Sequence, residues 1–106
     1  GSHGGVGGHT CLQVWGDSLY VTRAHVEHKH LSHYDSYCDY RAKVWGTLRT
    51  GSGWSKTSPT KSGCSYFNVW VDLTVGQTFK DGSHIWGQMF HDGSWAPGTP
   101  YVVIEA

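Results

Sequence analysis

Net charge, proline, methionine and catalytic motifs are all scarce in this chain, and each scarcity narrows what it is. Eight Lys and Arg balance eight Asp and Glu, for a formal net charge of zero. No long-range field therefore recruits nucleic acid or an acidic membrane, and nucleic-acid partners are set aside. No apolar run approaches the ~20 residues that cross a bilayer, so membrane insertion is not expected. There is no GxSxG elbow, HExxH helix, P-loop or dinucleotide fingerprint. His84, His91, Asp92, Arg49 and Glu105 supply acid–base chemistry for a small secreted hydrolase only if the fold gathers them, and nothing in their spacing asks for that. The expectation is a protein that is not an enzyme.

Cysteine is present in an odd number, Cys11, Cys38 and Cys64, with none of the short spacings of a zinc site. A disulfide is the better use, with Cys38–Cys64 favoured, worth roughly 3 kcal/mol in the loop-entropy picture, and Cys11–Cys38 kept as the alternative. With 15% charged residues and abundant Gly, Ser, Thr, Tyr and Trp, the composition resembles that of exported β-proteins. A secreted, extracellular location is expected.

What the chain has in excess is tryptophan, six in 106 residues. Four fall in two matching segments: Val44-Trp45-Gly46 leads nine positions on to Trp54, and Ile85-Trp86-Gly87 leads to Trp95. Pro59 and Pro100 align as well. The pairs suggest two strands that finish alike, with Trp54 and Trp95 returning at the loops to plug the core.

Residues 65–75 give the clearest strand signal. Phe67, Val69, Val71, Leu73 and Val75 alternate with Tyr66, Asn68, Trp70, Asp72 and Thr74, the period of two expected of an antiparallel strand wet on one face. Further strands are predicted over 10–15, 19–26, 38–48, 84–90 and 101–105, with Gly16-Asp17-Ser18 closing a first hairpin. Two longer connections, 27–37 and 50–63, are read as loops, the second as a crossover between sheets. Residues 1–8 are expected to be a tag remnant and flexible glycine-rich lead-in, and 9–106 a single all-β domain. That domain is predicted to be an antiparallel β-sandwich, immunoglobulin-like or related, of about six or seven strands.

Two constellations carry chemistry. Trp45, Trp70 and Trp86, with Tyr66, Asn68, Asp72 and Arg41 about them, are candidates for an exposed aromatic face. Such a face fits a protein hot spot first and a carbohydrate-binding platform second. The second constellation, His25, His28, His30 and His33, supplies imidazoles for Zn or Cu if the chain turns to gather them; the default expectation is no cofactor.

The stretch Phe79-Lys80-Asp81-Gly82-Ser83-His84-Ile85-Trp86-Gly87, followed by Asp92-Gly93-Ser94-Trp95-Ala96-Pro97-Gly98-Thr99-Pro100, resembles small exported proteins of Streptomyces-type actinobacteria. That resemblance implies an extracellular, disulfide-bearing sandwich that acts by binding. Secreted inhibitors, antimicrobial proteins and the linking subunits of toxin particles are of this kind.

Overall fold

The computed structural model describes residues 2–29 and 36–106. Their regular elements are all strands: β1 (Ser2–Gly7), β2 (Thr10–Asp17), β3 (Tyr20–His28), β4 (Tyr37–Thr47), β5 (Gly53–Thr57), β6 (Lys61–Ser65), β7 (Val69–Thr78), β8 (Ser83–His91), β9 (Ser94–Trp95) and β10 (Tyr101–Ile104). They form two antiparallel sheets. One is ordered β1-β2-β3-β7 and the other β10-β8-β4-β5, with β6 also pairing β4 and β9 pairing β8. Because β3 pairs with β7 while β4, between them in sequence, joins the other sheet, the chain crosses repeatedly between layers in the Greek-key manner of an immunoglobulin-like sandwich.

Period-two alternation builds the core. Leu12 and Val14 on β2, Ala24 and Val26 on β3, and Val69, Val71, Leu73 and Val75 on β7 face Ala42, Val44, Ile85, Met89, Val102 and Ile104 of the opposite sheet, all buried. Phe79, fully buried, enters after β7 and carries the half-buried Trp54 edge-on at 5.6 Å. The Trp-Gly pairs follow the same alternation: each Trp points out and each Gly points in. A methyl on Gly87 would press on Leu12 and Val26 of the facing sheet at 3.2 and 3.3 Å, and one on Gly46 on the Phe79 ring at 3.1 Å. Glycine at these two positions gives facing side chains the space beneath each Trp.

Four expectations are corrected. Ser2–Gly7 is no loose lead-in but pairs with β2 over six positions, Ser2↔Trp15 to Gly7↔Thr10. Its glycines hide the strand signal, yet they let β1 lie backbone to backbone against the other sheet. A Cβ on Gly5 would overlap the Tyr101 carbonyl, and one on Gly7 would sit 2.6 Å from the Pro100 nitrogen. Second, the 50–63 segment is not a crossover loop but holds β5 and the start of β6, both paired with β4. Third, β7 begins at Val69 rather than at residue 65, because the Ser65 Oγ accepts the Phe67 N–H at 3.1 Å and turns the chain. Phe67 is consequently 81% exposed instead of core. Fourth, Trp95 is not a plug. β9 pairs Trp95 with Phe90, an outward position, whereas β5 pairs Trp54 with Gly46, an inward one.

Cys38 and Cys64 are direct cross-strand partners on β4 and β6 and form the disulfide, with a bulge between Cys38 and Tyr40. Asp39 sits in that bulge in the left-handed region and accepts the Gly63 N–H at 3.2 Å. Cys11, outward on β2, stays unpaired.

Candidate functional site: the outer face of the six-stranded sheet

β4, β8 and β10 lie side by side, and their register fixes which outward residues meet. Tyr101 stands opposite Trp86, and Trp86 opposite Trp45. One cross-strand row of three aromatic rings results. The Trp45 and Trp86 planes are within 11° of parallel with centroids 6.5 Å apart, and Tyr101 follows at 5.0 Å from Trp86. His84, two residues before Trp86 and therefore on the same face, stacks on Trp86 at 5.6 Å and touches Tyr101 at 4.7 Å. Such in-register pairs are the basic stabilising contact of a sheet surface.

Lower on the same face, Arg41 pairs with Phe90 and Phe90 with Trp95. The Arg41 guanidinium is 4.0 Å from the Phe90 centroid and 5.9 Å from that of Trp95, and Phe90 meets Trp95 edge-on at 5.2 Å. Lys43, between the two clusters, places its Nζ 5.5 Å from the Trp45 ring. Cation–π contact therefore orders both basic side chains without neutralising them. At the upper rim, Thr47, Lys80, Asp81 and Ser83 join Trp45, Trp86 and His84 around an open cleft of about 400 Å³. Tyr101 and Trp95 remain 47% and 41% exposed.

The sequence-predicted residues divide between the two sides of the sandwich. Trp45, Trp86 and Arg41 come together as described. Trp70, 49% exposed, points out from the four-stranded sheet opposite Glu27, so it shares no patch with Trp45. Alternation tells which way a residue faces from its own strand and not which sheet that strand joins. Asp72 is on the Trp70 side, bound to His25, and Asn68 donates to Glu27 at 3.5 Å. Tyr66 is exposed on the β6–β7 turn. Sequence reasoning passed over Tyr101, Phe90 and Trp95 as members of the face; only the pairing of β10 and β9 with β8 assigns them.

His25 and His28 do not converge. His25 faces out, with Nδ1 at 2.8 Å from Asp72 Oδ1 and Nε2 at 3.4 Å from Glu27 Oε1. The two carboxylates sit at opposite ring nitrogens and cannot share one ion with it. His28, three positions on, is buried on the opposite side of β3, bonded to Thr10 Oγ1 at 2.7 Å and packed against Tyr37 and His91. His30 and His33 lie outside the described residues. Among the described residues no group of three His, Cys, Asp or Glu is placed to hold a metal.

The residues weighed for acid–base chemistry are also dispersed: His84 and His91 occupy opposite ends of β8. His91 hydrogen-bonds Asp92 at 2.8 Å and holds its carboxyl below the ordinary carboxylate value; the Cys38 N–H adds to this, while partial desolvation opposes it. Asp92 and Gly93, both left-handed, form the two-residue turn between β8 and β9.

The arrangement is an all-β sandwich with an aromatic and cationic sheet face. Comparison with protein-family models, curated proteins and solved structures gives no match.

Proposed function

We propose that the chain is a secreted, non-catalytic binding module that holds a protein partner against the outer face of its six-stranded sheet. An inhibitor, an antimicrobial protein or a linking subunit of a secreted toxin assembly is the kind of module meant. The observation that carries the reading is the in-register Tyr101–Trp86–Trp45 row. Trp, Tyr and Arg dominate interface hot spots because they offer large contact area with few torsions to freeze. Here sheet pairing and cation–π contacts immobilise them before any partner arrives, which lowers the entropy cost of binding.

The test is a pair of variants, Trp45→Ala with Trp86→Ala, used as bait on the secreted proteins of the source organism. Both rings point outward, so the double variant should stay folded, losing only the contribution of cross-strand pairs, about 0.2–1 kcal/mol each, while partner capture is lost. Retained capture by a well-folded double variant refutes the reading.

The cleft beside Trp45 and Trp86 favours one second reading. Its indole walls and the polar groups of Thr47, Asp81 and Ser83 suit a sugar ring stacked on an aromatic face with its hydroxyls hydrogen-bonded at the rim. Retention on chitin or cellulose, abolished by Trp86→Ala, would select it over a protein partner.

A further inference from the structure

Arg41 and Lys43 sit centrally in the aromatic face, and no described carboxylate neutralises them. The three ion pairs among the described residues all join His25 or His91 to an acid. The Arg41 guanidinium lies over the Phe90 and Trp95 rings and the Lys43 Nζ over the Trp45 ring. The carboxylates on or bordering this sheet are turned to other partners or lie at its ends: Asp39, in the β4 bulge, accepts the Gly63 N–H, Asp81 accepts the Ala106 N–H, Asp92 is held by His91, and Glu105 lies beyond β10. The other acids among the described residues, Asp17, Glu27 and Asp72, are on the opposite sheet. A chain of zero net charge thus presents a binding face whose centre is cationic.

Arg41, Lys43 and Trp45 are successive outward positions of β4, spaced about 7 Å apart as alternate residues of any strand are. An extended peptide has the same spacing between its alternate side chains. We propose that this column is the docking strip for an acidic, extended segment of a protein partner, one with acidic residues at two alternate positions and an apolar or aromatic residue at the next. The inference rests on the sheet-face reading above and names its ligand. Carboxylates meet Arg41 and Lys43, and the apolar side chain meets the Trp45–Trp86 pair. The guanidinium is especially suited, since the Phe90 ring positions it while its N–H donors remain available for bidentate pairing. A protein segment fits better than an anionic glycan. A polyanion gains from a long row of cations, whereas this strip has two and is bounded by Asp39, Asp81, Asp92 and Glu105, which repel a charge that continues past it.

The experiment immobilises the whole chain and measures binding of a glutamate–tyrosine copolymer, a lysine–tyrosine copolymer and heparin, each at low and high salt. The glutamate–tyrosine copolymer should bind, more weakly as salt rises, and the lysine–tyrosine copolymer should not. Arg41→Gln should weaken binding about tenfold with an unchanged melting temperature, as expected for loss of one charge-assisted pair. Arg41→Lys should retain part of the affinity, and Arg41→Gln with Lys43→Gln should remove both the binding and its salt dependence. Heparin binding without copolymer binding overturns the proposal in favour of a glycan. No binding of either anion, or undiminished copolymer binding by the double Gln variant, also overturns it. The broader reading fails separately: if Trp45→Ala with Trp86→Ala leaves copolymer binding intact while the Gln variants lose it, the cationic strip stands and the aromatic row does not contribute. Natural-partner capture that needs the tryptophans but not the cations gives the reverse result, and the acidic ligand is then wrong.

Discussion

Replacing both Cys38 and Cys64 by Ser should lower stability by an amount that follows from chain entropy, because the bridge closes a loop with a sequence separation of 26. The loop-closure relation gives about 3.5 kcal/mol at 25 °C for that length. With an unfolding entropy of ~2.1 cal/mol/K per residue, a chain of 106 residues should melt roughly 15 °C lower. Packing adds little to this, since β6 has exposed residues from Lys61 to Cys64 and pairs β4 at only Tyr37↔Ser65, Cys38↔Cys64 and Tyr40↔Lys61. The loss should therefore arise in the unfolded state, and the denaturant m-value should rise as the unlinked chain expands. Calorimetry and urea titration of the oxidised parent, the reduced parent and the double variant measure both quantities, and amide exchange should show β6 opening before the rest of the sheet. A double variant that melts within about 3 °C of the parent refutes the entropic account. So does a large loss with unchanged m-value, which would place the effect in native contacts.

The parity of the hairpins predicts opposite outcomes for the two returning tryptophans. Trp54→Ala removes the ring packed on Phe79 and should cost about 2–3 kcal/mol, below the range for a fully buried aromatic, whereas Trp95→Ala should cost under about 1 kcal/mol; equal losses in urea titration contradict the assigned faces. Acid stability should depend on Asp92, whose folded carboxyl is held below the ordinary value chiefly by His91. Its contribution is complete above the unfolded value of about 3.9 and disappears as pH falls through the folded one. Asp92→Asn should flatten that acid limb of the urea midpoint, and an unaltered limb argues against the His91 contact.

The strands that bury one face were readable because alternation is preserved wherever apolar and polar residues can occupy opposite sides. Val69 to Val75 and Ile85 to Met89 show it directly. β1 escaped because five of its neighbours and members in 1–8 are glycine, which carries no side chain to alternate. β5 and β6 escaped because both bury little and, apart from Trp54 and Cys64, are built from Gly, Ser, Thr and Lys, residues that also make loops. Part of the aromatic site was legible for the same reason as the core, since Arg41 and Trp45 alternate with Ala42 and Val44; Trp86 was a candidate whose side the pattern left open, and burial of Ile85, Gly87 and Met89 fixes it as outward. Assigning Trp70 to the opposite side required knowing that β7 pairs with β3, a long-range choice that no local period records.

The Trp-Gly repeat joins fold and site in one pattern. On β4 and β8 the residue after each outward Trp is an inward Gly, so the backbone is thin where the indole is thickest. Phe79 fills the space under Gly46, and Leu12 with Val26 fills that under Gly87. The two copies are antiparallel neighbours, which brings Trp45 and Trp86 into direct register. A repeat within a single strand would have stacked its indoles lengthwise along one edge; placed on adjacent antiparallel strands, it sets them across the sheet, with Arg41 and Lys43 on β4 alongside. The same residues that close the core beneath the face thereby hold its rings in place. The proposed binding through this face therefore calls for no refolding of the sheet, and changes to Gly46 or Gly87 should disturb it by moving the platform rather than by touching a partner.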